Sequence, residues 1–410
     1  MVEAEKIKSM LIAAGVKNAI IVNTCAVTAE AERQSRQAIR KLARESEYAR
    51  TSVAKFEQLG GCAQAKPSEH PGVPLFITGC AATRAPEDYA KIPGVAAVVA
   101  NKDKFNIDAY KCEVKSEIYN STLNIQHSTL SKAFIQIQNG CNHSCAYCIV
   151  SKLRGKNVSF PYERILAETR AAALNGFTEV VLTGVDIAGY RADGGLGDLC
   201  RRLLDDIPQL QRLRLSSVDP ASPECAKIIE LMSRDPRMLA HLHLSMQSGS
   251  DKILSAMGRR HNAEIVRKIM TPPTSYLLPP TFSWDIICGF PGESPELFEE
   301  TCALIKELKP IHIHAFPFSP RPGTLAATMP DQVDRAESKR RVKLVNELAQ
   351  QNRREFMKSQ IGKTTSVLME EKNIGRTPDD IPVKVSGAPI PSRTVRDLKI
   401  VGADKEYLLA

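Results

Sequence analysis

Cys141, Cys145 and Cys148 stand in the run GCNHSCAYC, residues 140 to 148. Three thiolates separated by three and then two residues, behind a Gly and the β-rich stretch AFIQIQN (133 to 139), can wrap one corner of a cubane. A 4Fe-4S cluster normally takes four Cys ligands, so this spacing leaves one iron open to a substrate or cofactor. The competing reading is a zinc site or three unrelated buried thiols. Structural zinc takes four closed ligands, commonly as two separated pairs, whereas this run offers three Cys in eight residues. His143 is a conceivable fourth ligand, but jammed between the first two Cys it reads as a solvent-side loop residue.

The rest of the composition limits what can surround that loop. A chain of 410 residues implies two to four domains, at about 100–200 residues each. No stretch is apolar for the ~18 residues that a membrane-spanning helix needs. MVEAEKIKSMLIAAG at the N-terminus reads as an amphipathic helix rather than a secretory signal, so the expected location is cytoplasmic. Eleven Cys in such a chain argue for metal or redox chemistry rather than a disulfide framework. Cys200, Cys225, Cys288 and Cys302 sit singly in apolar patterns and read as small buried hydrophobes. The net charge of +9 becomes informative by location, since residues 335 to 363 hold nine Lys or Arg against few acids. Arg340, Arg341, Arg353 and Arg354 are its candidate phosphate contacts, with a solvated helix face as the competing reading.

Elements able to position the Cys loop follow from periodicity. Strand-like runs begin at 134, 180, 213, 241, 282 and 312, with helical patterns such as YERILAETRAAALNG, GDLCRRLLDDI and PELFEETCALIKEL between them. Six strand–helix units predict a parallel sheet in the form of an open (β/α)6 partial barrel over residues 132–332. Ligands of such a barrel bind at the carboxyl ends of the strands, where Gly184, Asp186, Ser216, Ser217 and Gln247 lie. Residues 1–112 form a separate α/β unit, in which AIIVNTCAV and PLFITGCA are strands that run into Cys25 and Cys80. Residues 113–131 read as a linker, 333–361 as the basic helix and 362–410 as a small all-β module, near the lower size limit for independent stability.

With Tyr147 just before its last Cys, the three-Cys run resembles the signature of the radical S-adenosylmethionine enzymes. The resemblance implies that the open iron chelates S-adenosylmethionine and that the cluster's electron cleaves it. Tyr147, Gly184, Asp186, Ser216, Ser217 and Gln247 would then contact that cofactor. NTCAVT around Cys25, TGCAATRAPE around Cys80 and the terminal β module further resemble the methylthiotransferases, with their auxiliary-cluster motifs and RNA-binding TRAM domain. LTGVDIAGY, LRLSSVDP, LHLSMQSG and SPRPGT look most like the branch acting on N6-threonylcarbamoyladenosine beside the tRNA anticodon. That family implies a second 4Fe-4S cluster with Cys25 and Cys80 among its ligands, an electron donor, and the anticodon stem-loop as partner. The alternatives are another methylthiolation target, either isopentenyladenosine tRNA or a ribosomal protein, and a degenerate, non-catalytic RNA-binding relative.

Three segments depart from the family pattern. The family's first auxiliary Cys precedes the helix with which this chain opens, so the expectation is an N-terminally truncated product. Residues 51–72 look inserted and carry Cys62, read as an exposed loop Cys. TPPTSYLLPPT (271 to 281) holds four Pro, which exclude regular helix and central strand.

Overall fold

The computed structural model describes residues 2–14, 16, 19–26, 28–45, 74–110, 131–271 and 280–410. Cys62 with its inserted segment, most of the 113–131 linker, and 272–279 of the Pro-rich run lie outside the described residues. The chain divides into two compact units, one of Met1–His127 with Cys148–Gly155 and one of Ser128–Tyr147 with Lys156–Ala410.

The first unit runs α1 (Val2–Ala13), β1 (Ile20–Thr24), α2 (Ala29–Glu45), β2 (Leu75–Gly79), α3 (Cys80–Arg84), α4 (Pro86–Ala90) and β3 (Val95–Val98). Its strands form a parallel sheet in the order β1-β2-β3. The middle strand, β2, is buried at every residue. Leu75 and Ile77 pack in one cluster with Ile39 and Ala43 of α2, and Phe76 packs in another with Ile7 and Leu11 of α1. Two covered faces are why LFITG reads as an unbroken apolar run rather than an alternating one. Because Thr24 pairs with Gly79, Cys25 and Cys80 follow neighbouring strands at the same edge of the sheet. Gly79 takes φ +99°, and a Cβ there would lie within 2.5 Å of the Thr24 backbone. Only glycine therefore fits the turn that places Cys80.

In the second unit the parallel strands are β4 (Lys132–Gln136), β7 (Glu179–Thr183), β8 (Arg212–Leu215), β9 (His241–Gln247), β10 (Thr281–Cys288) and β11 (His312–Pro317). The two-residue strands β5 (Gln138–Asn139) and β6 (Val158–Ser159) pair antiparallel. The short helix α5 (Val150–Arg154) that interrupts this stretch belongs to the first unit. Two three-stranded sheets, β4-β7-β8 and β9-β10-β11, meet where Val218 bridges Leu244. The result is the expected six-strand open barrel, wrapped by α6 (Tyr162–Leu174), α7 (Leu196–Asp206), α8 (Glu224–Arg234), α9 (Asp251–Ala256), α10 (Ala263–Met270) and α11 (Pro295–Leu308).

The strands alternate. Leu242, Leu244, Phe282, Trp284 and Ile313 enter the large apolar core, while His241, His243, Ser283, His312 and His314 line the lumen. Cys200, Cys225, Cys288 and Cys302 are all buried, and burial pushes their thiols up, to about 12 for Cys225 and about 11 for Cys302. Inert core thiols match the sequence expectation.

Helix α12 (Arg335–Gln360) starts at an Asp334 cap whose carboxylate accepts from the Ala336 and Glu337 amides. After it come β12 (Thr364–Glu371), β13 (Ile374–Arg376), β14 (Pro382–Lys384), β15 (Val395–Lys399), β16 (Gly402–Ala403) and β17 (Leu408–Leu409). They make one sheet in the order β15-β12-β13-β14-β17-β16. Its core includes Met357 of α12 and Ile311 beside the barrel. A module this small gains its buried area by sharing a core with its neighbours.

Candidate active site

In the second unit the Cys loop leaves β4 through Gln138, a fully buried residue with an amide at the centre of the site. Its Oε1 accepts from the Val185 and Asp186 amides at 2.9 and 2.8 Å, and its Nε2 donates to the Gly140 carbonyl at 2.5 Å. One side chain thus ties the start of the Cys loop to the turn after β7. Gly184 opens that turn, where a Cβ would sit 2.8 Å from Gln138 Oε1. Asp186 emerges beside the loop, with its Oδ2 4.0 Å from Cys141 Sγ and 3.0 Å from His143 Nε2. Cys141, His143 and Asp186 gather their donor atoms within 4.8 Å of one another. His143 is therefore drawn inward by Asp186 and also contacts Arg260, which corrects its reading as a solvent-side loop residue.

The middle of the loop is strapped by backbone bonds, Ala146 N–H to the Met257 carbonyl and Ala326 N–H to the Ala146 carbonyl. Tyr147 packs against a cluster that includes Ala146, Met257 and Phe290. Just after α9, Arg259 donates to Cys145 Sγ at 3.6 Å and to the Ser245 carbonyl at 2.9 Å. Asp219 anchors both Arg259 and Arg260. Burial alone would raise its carboxyl, but His261, 3.7 Å away, and the Arg259 charge hold it well below the ordinary range.

Ser216 keeps a buried Oγ without a hydrogen-bond partner, whereas Ser217 is exposed. Gln247 is buried and sits at φ +73°, a left-handed conformation at the carboxyl end of β9. Strain of this kind concentrates at binding sites.

Within the first unit, Cys148 Sγ accepts the Val150 amide at the start of α5, as Cys141 Sγ accepts the His143 amide in the second unit. Amides aimed at sulfur, three Cys in one loop and no disulfide among the described Cys fit a thiolate-held iron–sulfur cluster. At the edge of the first unit's sheet, Cys80 is buried and Cys25 half-buried. Cys80 Sγ accepts from Arg154 Nε at 3.2 Å and Asn101 Nδ2 at 3.5 Å. Glu3, paired with Lys104, fixes the same guanidinium. Burial alone would raise the Glu3 carboxyl, but Arg154 and Lys104 bring it down to about 2.

The four helix arginines part company. Arg340 and Arg354 are exposed, the first beside Glu337. Arg341 is only 3 % exposed and paired with the buried Glu293 at 2.8 Å, which corrects its reading as a phosphate contact. Arg353 is half-buried and lines the barrel's lumen cavity. Gln138, Arg259 and Asp219 escaped the sequence reading. For Gln138 a signal existed in the polar positions of FIQIQN, whereas the Arg259 contact joins positions 114 apart in the chain.

Residues 135–305 match the family model of the Radical SAM superfamily. The chain is 36% identical over 396 residues to the threonylcarbamoyladenosine tRNA methylthiotransferase MtaB of Rickettsia prowazekii, covering 93% of this chain and 88% of that protein. It is 34% identical over 368 residues to the protein of that name from Chlamydia pneumoniae, covering 86% and 77%. With the one from Bacillus subtilis identity is 30% over 368 residues, covering 86% and 76%. No described helix is long and apolar enough to cross a membrane.

Proposed function

We propose, from the premise that this chain belongs to the MtaB family of radical S-adenosylmethionine tRNA methylthiotransferases, that it acts on N6-threonylcarbamoyladenosine beside the anticodon and adds a methylthio group to C2 of that base. The observation that carries this reading is the 36% identity with a threonylcarbamoyladenosine tRNA methylthiotransferase across 93% of the chain.

Radical S-adenosylmethionine enzymes use a 4Fe-4S cluster and S-adenosylmethionine. Cys141, Cys145 and Cys148 would hold the cluster, which would supply the electron for reductive cleavage of that cofactor. The chain's own residues do the positioning. Gln138 locks the Cys loop against the Gly184 turn. Arg259 donates to Cys145 and so helps to fix the position of that sulfur. Tyr147, Asp186, the spare Ser216 Oγ and Gln247 supply contacts for the cofactor, and the exposed Ser217 belongs to the rim. Cys25 and Cys80 would be two ligands of an auxiliary cluster, which would supply the sulfur to be transferred, with Arg154 and Asn101 donating to Cys80. Reduction draws on an external electron donor, and Arg340 and Arg354 face the tRNA phosphates.

Deuterium at C2 of the modified adenosine tests the assignment. The full chain, reconstituted with iron and sulfide and given a reductant, should move the label into 5'-deoxyadenosine when offered anticodon stem-loop RNA carrying N6-threonylcarbamoyladenosine. Unlabelled 5'-deoxyadenosine from the same RNA would overturn it.

A further inference from the structure

The lumen of the barrel is not filled by apolar side chains. Between the amino-terminal halves of the strands and the β module lies a cavity of about 600 Å³. His241, His243, His312 and His314 line it, four of the eight His in the chain. Burial drives His241 down to about 3 and His312 to about 4, and lowers His314 as well, so these imidazoles are neutral at pH 7 and can each donate and accept.

The cations around the cavity differ in what they have left to offer. Lys132 is committed to Glu370 at 3.1 Å and Asp380 at 3.2 Å, and Arg376 to Glu370 at 3.0 Å. Arg214 spends its Nε on Glu179 and its Nη1 on the Pro378 carbonyl, which leaves its buried Nη2 without a partner. For Arg353 the described bond goes to a carbonyl, that of Glu406, and its Nε is buried without one. Two guanidinium N–H groups among neutral imidazoles suit a ligand that bears a carboxylate and further hydrogen-bonding groups. An aliphatic ligand would leave them unpaired, at about 1–3 kcal/mol for each buried polar group.

Position in the barrel suggests what that ligand is. Leu215, which lines the cavity, is followed directly by Ser216. Arg214 is two residues before Ser216, and His243 four before Gln247, or roughly 7 and 13 Å at strand rise. A base whose C2 faces the strand ends extends its N6 substituent away from them. A threonylcarbamoyl arm, with its urea, hydroxyl and terminal carboxylate, reaches roughly 6 Å beyond N6 when extended.

We propose that this lumen cavity receives the threonylcarbamoyl arm of the substrate, with Arg353 and Arg214 facing its carboxylate and His312 and His314 its hydroxyl and urea. The proposal rests on the substrate reading above. It makes the cavity the feature that selects N6-threonylcarbamoyladenosine over adenosines bearing an apolar arm or none, because rejection follows from leaving polar groups unpaired.

The test uses the full chain and two anticodon stem-loop RNAs, identical except that one carries N6-threonylcarbamoyladenosine and the other plain adenosine. The parent protein should bind the modified RNA about ten-fold more tightly, the effect of one or two buried hydrogen bonds. In Arg353→Met and, separately, in His314→Ala, that preference should fall towards one through weaker binding of the modified RNA alone. Arg353→Lys should restore part of it. Equal weakening toward both RNAs would overturn the proposal and make Arg353 a phosphate contact or a structural residue, and an undiminished preference in both variants would overturn it too. A parent protein with no preference would instead sink the substrate reading, and the cavity's role with it.

Discussion

Gln247 shows how much a single residue can be made to carry. Its left-handed backbone, φ +73°, costs about 1 kcal/mol or more for a residue with a side chain, and it lies at the carboxyl end of β9, among the proposed cofactor contacts. Gln247→Gly should therefore raise the unfolding midpoint while weakening the binding of S-adenosylmethionine. Thermal melts and cofactor titration of the same variant check both halves, and a variant that loses stability would show that the side chain is structural. The Cys loop stood out in the sequence as a candidate because its spacing, flanking Gly and Tyr147, and the strand before it suit one corner of a cubane. Gln138 and Arg259 did not, since their roles arise from contacts that only the folded barrel creates: amides 47 and 48 residues downstream of Gln138 and a sulfur 114 residues upstream of Arg259. His143 misled for the same reason. Nothing in the sequence places Asp186 beside it.

Helix α12 illustrates the limit of charge counting at the level of an element. From sequence its arginines form one basic group, but a helix turns about 100° per residue and neighbours face different surroundings. Arg340 and Arg354 point to solvent, while Arg341, next to the first, is sealed against Glu293. Replacing Arg340 and Arg354 together by Ala should flatten the slope of log affinity for tRNA against log salt by about 1 for every phosphate left without its arginine, with little change in stability. Arg341→Ala should do the opposite. It leaves the salt slope alone and costs about 3–5 kcal/mol, because a buried carboxylate loses its partner. Binding isotherms at several salt concentrations and denaturant unfolding separate the two, and an unchanged slope in the double variant would reduce the helix to a solvated face. The barrel strands were located within one to four residues by their alternation. Their polar inner face was visible as HLHLS and HIHAF without revealing that it encloses a cavity. Which face of a strand is the lumen depends on barrel closure, a property of six strands and not of one.

Across the whole molecule, the order of parts could be read from the chain: an α/β unit with strand-end Cys, a six-strand barrel and a terminal β sheet. Their grouping could not. The sequence suggested a β module standing by itself, but its core is completed by Met357 and Ile311, so barrel, helix and module lie in one compact unit. Residues 148 to 155 likewise belong with the first unit, although the Cys loop that they end begins in the second. Within that segment Cys148 Sγ accepts the Val150 amide at the start of α5, and Arg154 at its end donates to Cys80. The account as a whole stands on sulfur transfer to RNA that needs both sets of Cys. Its most direct test is nucleoside mass spectrometry of tRNA carrying N6-threonylcarbamoyladenosine after incubation with the anaerobically reconstituted chain, S-adenosylmethionine and a reductant. The account predicts the 2-methylthio nucleoside from the parent, none from Cys141→Ala, and none from Cys80→Ala even while the latter still forms 5'-deoxyadenosine. Absence of that nucleoside with the parent, or its undiminished formation by Cys80→Ala, would contradict it.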